Sequence, residues 1–187
     1  YDQIAAGDPS YPTDGSSNDW LDIGFDDSSW SSGSGQFGYG DGDEDTVVSS
    51  SLITYLFRTT FTLTELPEEL FLDLLRDDAA VVYLNGVEVL RDNLPGGAID
   101  ASTVASSTGG ENARDVFQLS VGGLQLGTNT LAVEVHNRST GSSDISFGAS
   151  LYGTIDSRLT ALVPEPGTAL LLGLGLGLLA SRRPTRD

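Results

Sequence analysis

The chain of 187 residues contains no cysteine, no methionine and a single histidine. Without cysteine there is no disulfide framework, no thiolate ligand for a metal and no sulfur redox chemistry. Because His136 is the only histidine, an ordinary zinc site lacks its ligand set. A Ser-His-Asp triad would have to use His136, and the G-x-S-x-G motif fails in GASLY, where Tyr152 replaces the second glycine. We interpret His136 as a polar residue that ends a strand, and no catalytic residue is predicted.

Lysine is absent as well, so the nine basic residues are all arginine, against 27 acidic residues and a net charge of −18. Binding to a phosphate backbone requires a basic patch on the protein surface. The charge balance therefore excludes nucleic acid as a partner. A strongly acidic surface instead attracts cations and keeps an exported protein soluble.

Apolar residues occupy every second position along several segments before the C-terminal tail. In LITYLFRTTFTL, which starts at Leu52, this period predicts a strand with one buried face. The residues on that face are Ile53, Tyr55, Phe57, Phe61 and Leu63. The segments LFLDLL, DVFQLSV, NTLAVEVHN and DISFGASLYG show the same period. Strands separated by Gly, Ser and Asp turns, with no crossover helices between them, predict an all-β antiparallel sandwich.

The segment AVVYLNGVEVL contains the clearest turn signal. Asn85 and Gly86 lie between two β-rich runs, and Asn-Gly is the preferred pair for a type I′ turn because both central residues need a positive φ. The sequence predicts a tight hairpin at this point. Gly96 and Gly97 lie in the long polar segment that follows, where we expect substitutions to be tolerated.

The chain closes with VPEPGTALLLGLGLGLLASRRPTRD, which differs in composition from everything before it. The uncharged run 168–180 would rise about 20 Å as a helix, against about 30 Å for the hydrocarbon core of a bilayer. Arginines after such a run mark the cytoplasmic side of a membrane segment. The tail therefore predicts a short hydrophobic helix that enters the membrane transiently. A buried core helix is the alternative, but three glycines within the run disfavour it.

Pro164, Glu165 and Pro166, the short apolar run, and a terminal cluster with Arg182 and Arg183 together resemble the PEP-CTERM sorting signal of exopolysaccharide-producing Gram-negative bacteria. The resemblance implies a tail held in the inner membrane, recognised by an exosortase and removed near the Pro-Glu-Pro triplet. The mature protein would then reside at the cell surface or in the extracellular matrix. The alternative is a membrane-resident protein that keeps its tail.

The body resembles a galactose-binding-like jelly-roll module, similar to the non-catalytic sugar-binding domain of family 2 glycoside hydrolases. The segments that carry the resemblance are GFDDSSWSSGSGQFGYGDGDEDT, FRTTF, LLRDDAAVVYLNGVEVLRDNLP, LGTNTLAVEVHN and SDISF. It implies an exported, non-catalytic protein that contacts extracellular polysaccharide; the alternative is an accessory domain or fragment of a secreted hydrolase. The predicted divisions are a sandwich at 1–155, a linker at 156–163 and the sorting tail at 164–187. A start at Tyr1 without methionine leads us to expect a removed leader or a fragment.

Asp41, Asp43 and Asp45 alternate on a glycine-containing loop, YGDGDEDT. Alternating carboxylates supply the hard oxygen ligands that Ca²⁺ prefers. The loop is not an EF-hand, because Thr46 occupies its sixth position and Leu52 its twelfth. Modules of the resembled type often hold a structural calcium, which favours this site. The alternative is an acidic turn that binds no ligand.

Aromatic side chains cluster near the N-terminus, and Trp20 and Trp30 are the predicted ligand-binding residues. Exposed rings bind sugars by stacking on the apolar faces of pyranoses, whereas the alternative places both tryptophans in the core. Two pairs of adjacent carboxylates, at 26–27 and 77–78, could act as glycosidase acids. At this density of aspartate, turn chemistry explains the pairs better.

Overall fold

The computed structural model describes residues 1–109, 113–156 and 158–163. Within these ranges the chain forms eleven strands and no helix. The strands are β1 (Asp2–Gln3), β2 (Phe37–Tyr39), β3 (Thr46–Val47), β4 (Thr54–Leu63), β5 (Glu69–Asp77), β6 (Ala79–Leu84), β7 (Val87–Asp92), β8 (Ala113–Leu119), β9 (Gly127–His136), β10 (Ile145–Ile155) and β11 (Arg158–Val163). The prediction of an all-β fold is confirmed. Among the residues that the structure describes, no helix has the length and apolar character needed to cross a bilayer.

The strands form two sheets that enclose one core. The first has the order β1-β4-β9-β6-β7, and the second has the order β3-β2-β10-β5-β8 with β11 beside β10. Every pairing is antiparallel except that of β2 with β3, which is parallel. The second sheet is therefore mixed, whereas the sequence led us to expect purely antiparallel pairing.

The period of two in β4 places its aromatic residues in the space between the sheets. Tyr55, Phe57 and Phe61 join a core that also contains Leu72 of β5 and Leu151 of β10. In the C-terminal half of the strand the alternate threonines are exposed, as the pattern predicts. The alternation arises because successive side chains of a strand point to opposite faces of the sheet.

The other half of β4 departs from this pattern, because both of its faces are buried. Leu56 points away from the main core and packs in a second cluster with Trp20 and Phe25. The N-terminal residues before β2 cross this outer face of the first sheet, together with Ala101 of the long loop between β7 and β8. An irregular segment therefore forms a third layer, which the strand pattern did not predict.

Residues 158–163 were predicted as part of a linker, and the structure contradicts that prediction. They form β11, which pairs with β10 in a register that includes Gly153 with Thr160 and Leu151 with Val163. Leu162 and Val163 pack against the core. A Cβ on Gly153 would come within 3.1 Å of Leu162 Cδ1, so a glycine permits this close approach. The folded body thus reaches Val163, and the predicted C-terminal helix lies outside the described residues.

The hairpin predicted at Asn85 and Gly86 is confirmed. The two residues connect β6 to β7 with φ values of 50° and 82°. Asn85 also fixes the turn to a neighbouring loop, since its Nδ2 donates to the Gly123 carbonyl at 2.8 Å. Its Oδ1 accepts from the backbone N–H of Thr130 at 2.8 Å, which ties the turn to β9.

Replacing Gly86 with valine is expected to lower the free energy of unfolding by roughly 1–3 kcal/mol, because a β-branched side chain is strained at a positive φ. Urea denaturation followed by circular dichroism measures the change. Gly96→Val is the matched control, since a Cβ at Gly96 meets no atom within 4 Å. Gly97 is unsuitable, because its φ is 91° and a side chain there is strained as well. Equal losses for the Gly86 and Gly96 variants would contradict the prediction.

Candidate ligand site between the sheets

A cavity of about 400 Å³ opens between the two sheets at one edge of the first sheet. At this edge β1 pairs only with Tyr55 and Leu56, so the following residues of β4 border the cavity. Three phenylalanines, Phe37, Phe57 and Phe147, form its apolar floor. The rings of Phe57 and Phe147 stack with centroids 4.2 Å apart. The floor is part of the main core, because Phe57 and Phe147 are buried there and Phe37 packs against it.

The rim of the cavity carries polar groups and one tryptophan. Asp27, Ser31 and Ser32 are exposed, and Trp30 is half-buried beside them. A turn presents Trp30, whose backbone N–H donates to the carbonyl of Asp27 at 2.9 Å. The Trp30 ring packs edge-on against Phe25 with centroids 5.4 Å apart. The site therefore combines an apolar floor with hydroxyl and carboxylate groups at its mouth, as small-molecule sites commonly do.

Arg58 of β4 holds the rim segment in place. Its side chain is 2% exposed and pairs with Asp27 at 2.7 Å. The guanidinium also donates to the carbonyls of Phe25 and Asp22 at 3.1 and 2.9 Å. Its Nε has no hydrogen-bond partner within the ranges that the structure describes. Arg58 also lines the cavity, where its charge is paired with that of Asp27.

Trp20 does not line the cavity. Its side chain is 1% exposed, and its ring lies among those of Tyr11, Trp30 and Tyr83, with centroids 6.1, 6.4 and 5.9 Å away. Trp20 is therefore a buried residue of the second cluster, which packs on the outer face of the first sheet. Of the two tryptophans predicted to bind a ligand, only Trp30 can offer part of its ring to one.

The loop proposed for calcium is held by contacts within the protein. Asp41 Oδ2 accepts from Ser146 Oγ at 3.2 Å, and Asp43 Oδ1 accepts from Gln36 Nε2 at 3.1 Å. The carboxylate of Glu44 accepts the backbone N–H groups of residues 41 and 42, both at 3.0 Å. Asp45 is exposed. Nowhere in the described part of the chain do three or more carboxylate or histidine side chains converge as a metal site requires. A calcium site here stays a prediction.

The adjacent carboxylates serve turns and loops. Asp26 Oδ1 accepts from the backbone N–H of Ser28 at 3.0 Å. The two oxygens of Asp78 accept from the backbone N–H groups of Gly109 and Arg138, each at 2.7 Å. The Asp26 contact agrees with the prediction of turn chemistry, whereas the Asp78 contacts join backbone groups 31 and 60 residues away. Asp78 thereby fixes the end of the loop after β7 to the end of β9.

Asp77 is 6% exposed. Burial raises its pKa to about 7, and the nearby charge of Asp78, together with those of Asp144 and Asp41, adds to the shift. A carboxyl whose folded pKa lies above its unfolded value binds more protons in the native state. The stabilising contribution of protonated Asp77 is therefore fully present below about pH 4 and is lost as the pH rises through about 7.

Replacing Asp77 with asparagine is expected to remove this loss and to raise the free energy of unfolding at pH 8 by roughly 1–2 kcal/mol, less than the full linkage because nearby solvent screens the charge. Urea denaturation at pH 5 and pH 8 measures the difference. Asp45→Asn changes an exposed carboxylate and serves as the control. A pH dependence that is the same in parent and Asp77→Asn would contradict the assignment.

Sequence reasoning missed a second set of polar residues, beneath the N-terminal layer. Glu134 of β9 is fully buried and accepts from the hydroxyls of Tyr11 and Tyr83 at 2.6 and 2.5 Å. His136, also fully buried, is the last residue of β9, as predicted, and its Nδ1 lies 2.7 Å from the carbonyl of Thr103. Burial, with the charge of Glu134, raises the pKa of both tyrosines, so they remain donors. This buried network connects three parts of the chain.

Residues 162–183 match the PEP-CTERM protein-sorting motif. The predicted sorting residues, Pro164, Glu165, Pro166, Arg182 and Arg183, all lie within the match, although outside the described residues. The sorting motif supports exosortase-dependent export with a membrane-anchored passage of the C-terminal segment. It begins at Leu162, inside β11, so the sorting motif and the folded body overlap by two residues.

The body is similar to part of an α-L-rhamnosidase from Streptomyces avermitilis, solved in complex with L-rhamnose. The sequences are 21% identical, and the match covers 60% of this chain and 10% of that protein at a TM-score of 0.42. The matched part of the chain thus spans about a tenth of the length of the rhamnosidase, and a match this distant carries no argument about ligand or activity. None of the curated proteins compared with the chain matches it.

Proposed function

We propose that this protein is an exported, non-catalytic carbohydrate-binding module. An exosortase removes its tail, and the module then acts at the cell surface or in the extracellular matrix. The observation that carries the proposal is the sorting motif at 162–183, which begins within the last strand of a folded all-β body. We also propose that the body has the jelly-roll topology of galactose-binding-like modules. Its two packed sheets, of five and six strands, support this assignment.

The cavity between the sheets is the proposed sugar site. The apolar face of a pyranose can pack on the exposed part of Trp30, and Asp27, Ser31 and Ser32 can bind its hydroxyl groups. The carboxylate of Asp27 is 47% exposed, so it keeps lone pairs for a ligand while it pairs with Arg58. This combination suits a neutral sugar better than a charged ligand, because the nearest charges already neutralise each other.

The composition of the cavity also favours binding over hydrolysis. Glycosidases generally flank the scissile bond with a pair of carboxyl groups. Asp27 is the one carboxylate among the described residues that line the cavity, and Arg58 holds it as an ion pair. The fully buried Glu134 lies beneath the N-terminal layer and does not line the cavity. The site therefore offers one acidic group where hydrolysis needs two.

Intact-mass analysis of the protein recovered from its native host tests the sorting step. The mature form is expected to end near Pro164, and Glu165→Ala is expected to block removal of the tail. Glu68→Ala is the matched control, because Glu68 is an exposed glutamate that follows a proline, Pro67, outside the motif. Arg182 and Arg183 on the mature surface protein would refute the proposal.

Affinity electrophoresis in gels that contain the exopolysaccharide of the host tests the binding step. The mature protein is expected to be retarded, and Trp30→Ala is expected to weaken binding by about tenfold, since a well-placed aromatic contributes about 1–3 kcal/mol. Tyr152→Ala, in β10 and outside the cavity, is the control. No retardation on any polysaccharide of the host would refute carbohydrate binding and leave the sorting step intact.

A further inference from the structure

The chain leaves the folded body at the cavity itself. Val163 is the last residue of β11 and lines the cavity together with Trp30 and Ser31. Pairing with Leu151 of β10 and packing against the core hold Val163 in this position. The sorting tail therefore starts at the wall of the proposed sugar site.

The distance from this point to the membrane has a covalent upper limit. The apolar run of the sorting motif starts at Thr168, five residues after Val163. A fully extended chain spans at most about 3.6 Å per residue, so Val163 lies within about 18 Å of Thr168 in any conformation. The headgroup region takes up roughly 5–8 Å of that distance.

The folded body is wider than this tether is long. A domain of this length has a radius of gyration of about 15 Å, which corresponds to a diameter of roughly 40 Å. A body tethered so closely must turn the side that carries Val163 toward the bilayer. Because Trp30 and Ser31 of the rim line the same cavity as Val163, we expect its mouth to face the bilayer surface.

We propose that the membrane closes the cavity while the tail is uncleaved, and that removal of the tail opens it to polysaccharide. This regulation rests on the proposed function for its ligand, whereas the orientation follows from tether length and from the position of Val163. Binding is thereby restricted to protein that has left the membrane. A module that bound polysaccharide earlier would hold the chain at the site of processing.

The orientation can be tested without a ligand, because the two tryptophans differ in exposure. Trp20 is 1% exposed, so quenching by acrylamide reports mainly on Trp30. The chain with its sorting tail is placed in phospholipid nanodiscs, and its fluorescence is quenched either by acrylamide or by lipids with a spin label on the headgroup. A variant carries a 20-residue Gly-Ser spacer between Val163 and Pro164, which adds roughly 25 Å of reach.

In the parent chain we expect quenching by the labelled headgroups and weak quenching by acrylamide. The spacer is expected to abolish the headgroup quenching and to increase the acrylamide quenching. The same spacer between Gly96 and Gly97, in an exposed loop, leaves the tether unchanged and should behave as the parent does. Equal quenching with and without the spacer at Val163 would overturn the proposal.

A second measurement distinguishes this proposal from the proposed function. Binding of the host exopolysaccharide to nanodisc-held protein is expected to be weak in the parent and restored by the spacer. If the mature protein binds no polysaccharide while the quenching results hold, the proposed function fails and the orientation stands. If parent and spacer variants bind polysaccharide equally in nanodiscs, the regulation is refuted and the binding function stands.

Discussion

Replacing Glu134 with alanine is expected to lower the free energy of unfolding by about 3–5 kcal/mol, because two hydrogen bonds to a charged group, each worth about 1.5–3 kcal/mol, are lost. The carboxylate of Glu134 is fully buried and accepts hydrogen bonds from the hydroxyls of Tyr11 and Tyr83. It also lies 3.1 Å from His136 Nε2, although the contact lacks hydrogen-bond geometry. Without the carboxylate, the hydroxyls of Tyr11 and Tyr83 lose the acceptor that a fully buried position of β9 supplies to both.

Urea denaturation of the parent and the variant measures this loss. Glu88→Ala is the matched control, because Glu88 is an exposed glutamate on β7 whose ion pair with Arg91 lies at the surface, and it should cost less than about 1 kcal/mol. If the Glu134 variant does not fold, Tyr83→Phe provides a milder test, with an expected loss of about 1.5–3 kcal/mol for a hydrogen bond to a charged group. Equal stabilities of the Glu134 and Glu88 variants would show that the network contributes nothing.

Replacing Arg58 with methionine is expected to cost about 2–4 kcal/mol and to loosen the rim of the cavity, because a buried network of charge-assisted hydrogen bonds is lost. The guanidinium binds the carbonyls of Asp22 and Phe25 and the carboxylate of Asp27. It also lies over the Phe25 ring, 5.1 Å from its centroid. Methionine retains much of the apolar stem and removes the donors, so the measured loss reports on the hydrogen bonds.

The Arg58 and Asp27 variants allow the two halves of the ion pair to be compared by the stability that each removal costs. The side chain of Arg58 is almost completely buried, whereas that of Asp27 is about half exposed. Asp27→Ala should therefore cost less than about 1 kcal/mol, as surface ion pairs do. Thermal unfolding of both variants measures the difference. Equal losses would mean that the backbone contacts of Arg58 do not hold the rim segment.

Local sequence determined the strands and the turn that connects β6 to β7. The period of two in β4 predicted which of its residues enter the main core, because alternate side chains of any strand point to opposite faces. Asn85 and Gly86 predicted the hairpin, because a type I′ turn requires two residues that tolerate a positive φ. The sorting motif could also be predicted from the sequence, because it consists of contiguous residues and does not depend on the fold.

The tertiary structure alone decided whether the second face of a strand is buried. Glu134 and Leu56 lie on faces that an isolated sheet would expose, and the irregular N-terminal segment covers them. The same layer encloses Trp20 while leaving Trp30 half-buried at the cavity. The local sequence does not show which of the two tryptophans is fully buried, because burial depends on contacts with strands far along the chain.

Tertiary structure also decided that residues 158–163 belong to the body. Their six residues carry no clean alternation of polar and apolar side chains, so the sequence offered no strand signal. They form β11 because β10 continues past its pairing with β2 and leaves hydrogen-bonding groups open along the same edge. An edge strand pairs with its neighbour through backbone N–H and C=O groups, which every residue except proline carries in full. The side chains of the edge strand therefore do not reveal the pairing.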